Sequence, residues 1–194
     1  FRALLKNMLV FELDVPTTQA DKLYRYKKSG LEIPQNVRFV PINFDTDSII
    51  EKLGKEGYST EKKTLFLWEG VTQYITEAAV EKTMSFIKQY GADESILIFD
   101  YFFDSVIKKD DKIVVASNLT KGSVVLGEQF KFGIKQGTVE AFLDRYDFQL
   151  LCHYEGAELA SKYLANGQVD YKTGFPFSGH SKAYLKKKVI SKSE

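Results

Sequence analysis

The residues best suited to chemistry are acids and amides that follow short apolar runs. The first run ends in Glu12-Leu13-Asp14, the second in Asn43-Phe44-Asp45, the third in Glu69-Gly70 and the fourth in Asp100. Such runs, alternating with helical patterns, predict parallel strands in an open α/β sheet, whose ligand crevice lies outside the carboxyl ends of the strands. The sequence therefore predicts a ligand site along that edge.

Glu12 and Asp14 are candidates for binding the hydroxyl groups of a ribose. Side chains alternate along a strand, so these two carboxylates share one face and Leu13 takes the other. A carboxylate at such a strand end can accept hydrogen bonds from both ribose hydroxyls, as it does in dinucleotide-binding domains. The alternative is that either acid only caps the helix that starts after Pro16. We predict that one of the two contacts a ribose.

Asn43, Phe44 and Glu69 are further candidates for the same ligand. The amide of Asn43 could read the amino edge of an adenine, and Phe44 could pack on the ring, although a turn asparagine beside a core phenylalanine explains the spacing slightly better. Glu69 ends a strongly apolar strand, and Gly70 behind it permits close backbone approach to a ligand. A catalytic or cation-binding role for Glu69 and a purely local hydrogen bond both remain open.

The elements that must position these residues alternate between strand and helix. Because the strands are apolar throughout, we expect both faces of the sheet to be covered, and the alternation implies right-handed parallel crossovers. The fold class is therefore α/β, with a doubly wound and mostly parallel sheet in one domain spanning residues 1–194. The predicted strands cover 8–13, 37–42, 64–68, 95–99, 147–153 and 182–190, and the predicted helices cover 16–30, 49–53 (with Asp45, Thr46 or Asp47 as its cap), 77–90, 138–146 and 155–164.

Composition narrows the class of protein. The 194 residues are 44% hydrophobic and carry a net charge of +1, so a sizeable core is possible and neither nucleic acid nor an anionic membrane is an expected partner. No apolar run approaches the roughly 20 residues of a membrane span, and the single cysteine, Cys152, allows no intramolecular disulfide. His153 and His180 show no metal-ligand spacing, so no metal site is expected. We expect a cytoplasmic protein, and we expect this sequence to start partway through a connection between elements.

Several segments resemble the leucine carboxyl methyltransferase family and related bacterial S-adenosylmethionine-dependent methyltransferases. They occur in the order of the family's motifs over nearly the whole chain, which makes the resemblance more specific than any one segment. The matching segments are Val10 to Pro16 with Lys22, Arg38 to Phe44, Glu69 to Thr76, Gly127-Glu128 with Phe130 to Ile134, and Phe1-Arg2 as the tail of the family's aspartate- and arginine-containing segment.

The resemblance implies a Rossmann-like class I methyltransferase sheet whose first strand and glycine-rich loop are missing from this sequence, with S-adenosylmethionine as cofactor. It implies that Asp14 binds the ribose, that Asn43 and Phe44 flank the adenine, and that Glu69 faces the methionine or ribose side, with Glu12 secondary. The family usually has aspartate where this chain has Asn43, which leaves the amide oxygen to recognise adenine. No residue is assigned as catalytic.

The resemblance further implies methyl transfer to an oxygen of a small molecule or a protein C-terminus. A carboxylate acceptor is ionised at neutral pH and needs no general base, whereas a hydroxyl acceptor would need one. Since the sequence places no histidine near the site, a carboxylate or a similarly acidic oxygen is expected. Two alternatives stay open: a degenerate non-catalytic Rossmann-like binding module, and an NAD-dependent oxidoreductase, which also has an acid at the end of its second strand.

Overall fold

The computed structural model describes residues 5–108, 129–163 and 178–186, and the packing divides the chain into two units. The first unit is Phe1–Ser59 and the second is Thr60–Glu194. Each unit has its own sheet and is described by itself. The prediction of one domain over residues 1–194 stays a prediction.

The first unit is built on two parallel strands. It contains β1 (Val10–Asp14), α1 (Pro16–Lys28), β2 (Val37–Pro41) and α2 (Ile49–Lys55). Val10 lies opposite Val37 and Asp14 opposite Pro41, so the carboxyl ends of both strands meet at one edge. Pro16 suits the first turn of α1, where its missing N–H needs no partner, and Arg25, Lys27 and Lys28 in the last turn complement the helix dipole.

The cap of α2 differs from the one predicted. Ser48 is the N-cap, and its hydroxyl accepts a hydrogen bond from the N–H of Glu51 at 3.4 Å. The predicted candidates at 45–47 instead close a turn around Asn43: the Asp47 carboxylate accepts from the N–H of Asn43 at 3.1 Å. Because that carboxylate is committed to the turn, the next polar residue takes over the cap.

The second unit holds a mixed four-stranded sheet. Its strands lie in the order β3-β4-β6-β5, with β3 parallel to β4 and β6 antiparallel to both of its neighbours. The final strand begins at Ser178, earlier than predicted, and the predicted continuation over 187–190 lies outside the described residues. The elements of this unit are β3 (Leu65–Trp68), a 3-10 turn (Thr72–Tyr74), α3 (Glu77–Tyr90), β4 (Ile96–Phe102), α4 (Asp104–Ile107), α5 (Val139–Asp144), β5 (Phe148–Glu155), α6 (Gly156–Tyr163) and β6 (Ser178–Leu185).

One face of this sheet packs against α3 and α5. Phe66 of β3 meets Phe86 of α3 edge to face at 6.3 Å, and Phe99 of β4 lies 6.4 Å from Phe142 of α5. The helix predicted over 77–90 is confirmed, and its inner face buries Ala79, Val80, Thr83, Phe86 and Ile87. Burial of this periodic apolar face supplies most of the stability of such a helix.

The opposite face of the sheet is not covered by described residues at β3, although the sequence predicted that both faces would be covered. Leu65 and Leu67 alternate with Phe66 and Trp68, so they point away from α3, and they are 61% and 65% exposed. An apolar run therefore marks the strand correctly without showing that both of its faces are covered. Among the described residues, no helix is long and apolar enough to cross a membrane, and no three metal-binding side chains are grouped to hold an ion.

Candidate functional site

Asp14 lies at the carboxyl edge of the two-stranded sheet. Its carbonyl oxygen accepts from the N–H of Ile42 at 2.8 Å, which places it beside the segment that leaves β2. Its half-buried side chain turns back on the chain, because Oδ1 accepts from the N–H of Val15 at 2.8 Å. Parallel pairing therefore brings Asp14 and Asn43 to the same edge.

Asn43 and Phe44 lie just beyond β2, after Ile42, and they differ in exposure. Asn43 is exposed, and its side-chain oxygen accepts from the N–H of Asp45 at 3.0 Å. Phe44 is only 9% exposed, so its ring belongs to the core of the first unit. The alternative raised from the sequence, a turn asparagine beside a core phenylalanine, describes this local geometry. The roles of both residues towards an adenine stay predictions.

Glu12 joins β1 to α1. The amide nitrogen of Gln19 donates to Glu12 Oε2 at 2.8 Å and to the Glu12 carbonyl at 3.0 Å, and Lys22 donates to Oε1. Gln19 is 4% exposed, and a buried amide needs such acceptors. Glu12 thus has a structural role within the first unit, and its predicted contact with a ribose stays a prediction.

Glu69 occupies the corresponding edge of the second unit. It is exposed and follows the last residue of β3, Trp68, which pairs with Phe99. Gly70 adopts a left-handed conformation with a φ of 69°, which strongly favours glycine. The N–H of Gly70 donates to Asp100 Oδ1 at 2.8 Å, so the local hydrogen bond at this turn belongs to Asp100.

A row of polar side chains crosses the strand ends of the second unit. Asp100 of β4 lies opposite His180 of β6, which lies opposite Tyr154 of β5, and Glu69 continues the row beyond β3. Burial raises the pKa of the Asp100 carboxyl; the hydrogen bond from Gly70 and the nearby His180 oppose this shift, and the charge of Glu69 adds to it.

The sequence had suggested no role for His180, although the structure places it at this edge. Asp100 was recognised only as the end of a strand. His180 reaches this edge through the antiparallel register of β6. Because β6 pairs with strands that are remote in sequence, local sequence patterns do not reveal that register.

His153 faces the opposite side of the same sheet. Its Nε2 lies 3.0 Å from the hydroxyl of Tyr101, and the two rings are stacked at 6.1 Å. Burial raises the pKa of Tyr101 above its usual value and lowers the pKa of His153. Both groups are therefore uncharged at neutral pH, and their contact is a hydrogen bond between neutral partners. This arrangement fits the interpretation of His153 as a strand residue.

Comparison with known proteins shows which proteins this chain is similar to. Residues 1–88 match the family model described as leucine carboxyl methyltransferase, which covers both strands of the first unit and the Glu69 turn. A curated relative, "Putative S-adenosyl-L-methionine-dependent methyltransferase YktD" of Bacillus subtilis (strain 168), is 26% identical over 163 residues. The match covers 84% of this chain and 53% of that protein, so the chain spans about half the length of its curated relative.

Solved structures confirm the predicted fold class. A protein from Thermobifida fusca YX described as a "putative methyltransferase" aligns with a TM-score of 0.65 and 11% identity, over 96% of this chain and 66% of that one. An S-adenosylmethionine-dependent methyltransferase from Mesorhizobium loti aligns with a TM-score of 0.58 and 14% identity, over 90% and 79% of the two chains. The α/β architecture is thus a Rossmann-like methyltransferase fold.

Proposed function

We propose that the whole protein transfers a methyl group from S-adenosylmethionine to an oxygen atom, and the match of residues 1–88 to the leucine carboxyl methyltransferase family model supports this. The observation that carries the proposal is the position of the two acids within the match. Asp14 and Glu69 each stand at the carboxyl end of a parallel strand, where open α/β sheets bind their ligands.

The chemistry of these residues fits the proposed cofactor. When bound, S-adenosylmethionine supplies an electrophilic methyl group on a sulfonium. Asp14 uses Oδ1 for the N–H of Val15, and within the described residues Oδ2 remains able to accept from ribose hydroxyls. Glu69 is exposed, and no atom of the described residues outside this turn lies within 4 Å of where a Cβ would stand on Gly70, so a ligand can approach the turn.

We further propose that the acceptor is a carboxylate of a small molecule or of a protein C-terminus. A carboxylate oxygen forms its bond to the methyl carbon while the carbon–sulfur bond breaks with its electrons left on sulfur, and no proton has to move. The protein then contributes mainly by orienting the reactants and excluding water. A hydroxyl acceptor would need a base, and His180 beside Asp100 is the described histidine at the carboxyl edge of the second unit.

The cofactor assignment is tested by calorimetric titration of S-adenosylhomocysteine into the full-length protein. We expect Asp14→Ala and Glu69→Ala each to weaken binding more than about tenfold, which corresponds to about 1.4 kcal/mol. Asp21→Ala and Glu81→Ala are matched controls, because they remove exposed acids of α1 and α3 away from both strand ends. A folded wild type that does not bind would refute the assignment and favour the binding-module or oxidoreductase alternatives.

The acceptor class is tested with methyl-labelled S-adenosylmethionine and two substrate panels, one of carboxylates and one of alcohols and phenols. We expect base-labile label, which mild alkali releases as methanol, because carboxyl methyl esters hydrolyse and methyl ethers do not. Alkali-stable label that disappears in His180→Ala would point to a hydroxyl acceptor and contradict the carboxylate proposal.

A further inference from the structure

We infer that Asp100 is a positioning residue, which fixes the Glu69–Gly70 turn and thereby the Glu69 carboxylate at the end of β3. This inference rests on the proposed function, in which Glu69 contacts the cofactor. Asp100 does not need to touch the cofactor itself, because its effect passes through the backbone of the turn.

Asp100 holds the segment after β3 at two points. Its Oδ1 accepts from the N–H of Gly70 at 2.8 Å, and its carbonyl oxygen accepts from the hydroxyl of Thr72 at 2.7 Å. Thr72 is 1% exposed, so this second bond is shielded from water. A third anchor lies one residue further on, where the carbonyl of Gln73 accepts from the N–H of Lys131 at 2.7 Å.

Glu69 depends on these anchors because of its neighbours. On one side, Trp68 is buried and paired with Phe99 in the sheet. On the other side, Gly70 is the residue type with the greatest backbone freedom, and no side chain of its own restricts it. The hydrogen bond from Gly70 to Asp100 therefore fixes the residue next to Glu69, and without it the nearest anchor on that side would be Thr72.

The charge of Asp100 is not explained by the stability of the fold. Burial raises the pKa of this carboxyl, and the charge of Glu69 raises it further, so the ionised form is disfavoured where it stands. Asparagine would also present an acceptor oxygen to Gly70, without the cost of burying a charge. Holding the turn therefore requires an acceptor oxygen at position 100 and does not require a charge.

Ser95 provides a matched control at the other end of the same two strands. Its hydroxyl accepts from the N–H of Thr64 at 3.1 Å, just before β3 and β4 begin. Ser95 is 1% exposed. Ser95 and Asp100 thus each join β3 to β4 through a side-chain acceptor and a backbone N–H, and only Asp100 does so at the carboxyl edge.

The experiment combines titration of S-adenosylhomocysteine with urea unfolding on the full-length protein and its Asp100→Ala, Asp100→Asn and Ser95→Ala variants. We expect Asp100→Ala to weaken binding about tenfold, or about 1.4 kcal/mol. Asp100→Asn should restore most of the affinity, because it keeps an acceptor for Gly70. Ser95→Ala should lower the unfolding midpoint and leave the dissociation constant within about twofold of wild type, which is about 0.4 kcal/mol.

Three outcomes would overturn the inference while the proposed function stands. These are wild-type affinity in Asp100→Ala, equal weakening by Asp100→Ala and Ser95→Ala, and an Asn variant as weak as the Ala variant. A wild type that does not bind overturns both ideas. If Asp100→Ala does not fold, Thr72→Val removes the second anchor with little change in shape, and unchanged affinity in that variant would also count against the inference.

Discussion

Substitution of Gly179 by alanine tests the packing at the centre of the second unit. Gly179 of β6 lies opposite Tyr101 of β4, and the Tyr101 side chain reaches across β6 to His153 of β5. A Cβ at position 179 would lie 2.4 Å from Cζ and 2.5 Å from the hydroxyl oxygen of Tyr101. Both distances are far shorter than van der Waals contact, so the ring would have to move.

The ring has little room to do so. Tyr101 is 0% exposed, and its ring lies 5.6 Å from that of Phe99 and 6.2 Å from that of Phe103. Overpacking such a site costs about 1–3 kcal/mol. Displacing the hydroxyl from His153 would cost about 1 kcal/mol more. We therefore expect Gly179→Ala to lower the free energy of unfolding by about 2–4 kcal/mol, adding these two contributions.

Urea unfolding of the full-length protein at neutral pH measures this change. The same substitution in a Tyr101→Ala background should have a much smaller effect, because the clashing atoms are gone, and the double-mutant cycle isolates the clash. Where alanine fits without strain, replacing glycine stabilises by about 0.4–1 kcal/mol through the unfolded chain. A gain of that size, or a loss below about 0.5 kcal/mol, would refute the predicted clash.

Two other predictions concern a helix cap and a titrating group. Thr76→Ala should lower the free energy of unfolding by about 1 kcal/mol, because the hydroxyl caps α3 by accepting from the N–H of Ala79 at 3.2 Å; Thr76→Ser should retain most of that stability in the same urea assay. Because the pKa of Asp100 is raised by folding, the protonated carboxyl contributes to the free energy of unfolding. This contribution is complete below the unfolded-state pKa and is lost as the pH rises through the folded-state pKa. Relative to wild type, Asp100→Asn should therefore become more stable as the pH rises above about 4, the ordinary pKa of a carboxyl, and a difference that stays constant with pH would contradict the shift.

Local patterns in the sequence predicted most of the elements and the strand end that carries Asp14. The helix predicted over 77–90 is confirmed as α3, Glu77–Tyr90. The strand ending in Asp14 was predicted from a short apolar run, and its parallel pairing with β2 followed from the alternation of strand and helix. These signals act over a few residues, so they can be read without knowing the fold.

Competition between neighbouring side chains was harder to read. Ser48 caps α2 because the carboxylate of Asp47 is taken by the N–H of Asn43, and Glu12 is occupied by Gln19 and Lys22 of the following helix. In both cases several residues of suitable type were available. Three-dimensional proximity decided which of them was used.

Only the tertiary structure determined which side chains lie opposite each other in the four-stranded sheet. The antiparallel register of β6 places His180 opposite Asp100 and Gly179 beneath Tyr101, and the packing of α3 on one face leaves Leu65 and Leu67 exposed on the other. A shift of one residue in that register would exchange the two faces of the strand. Pairing between strands remote in sequence depends on the packing of the whole unit, so no local pattern in the chain determines it.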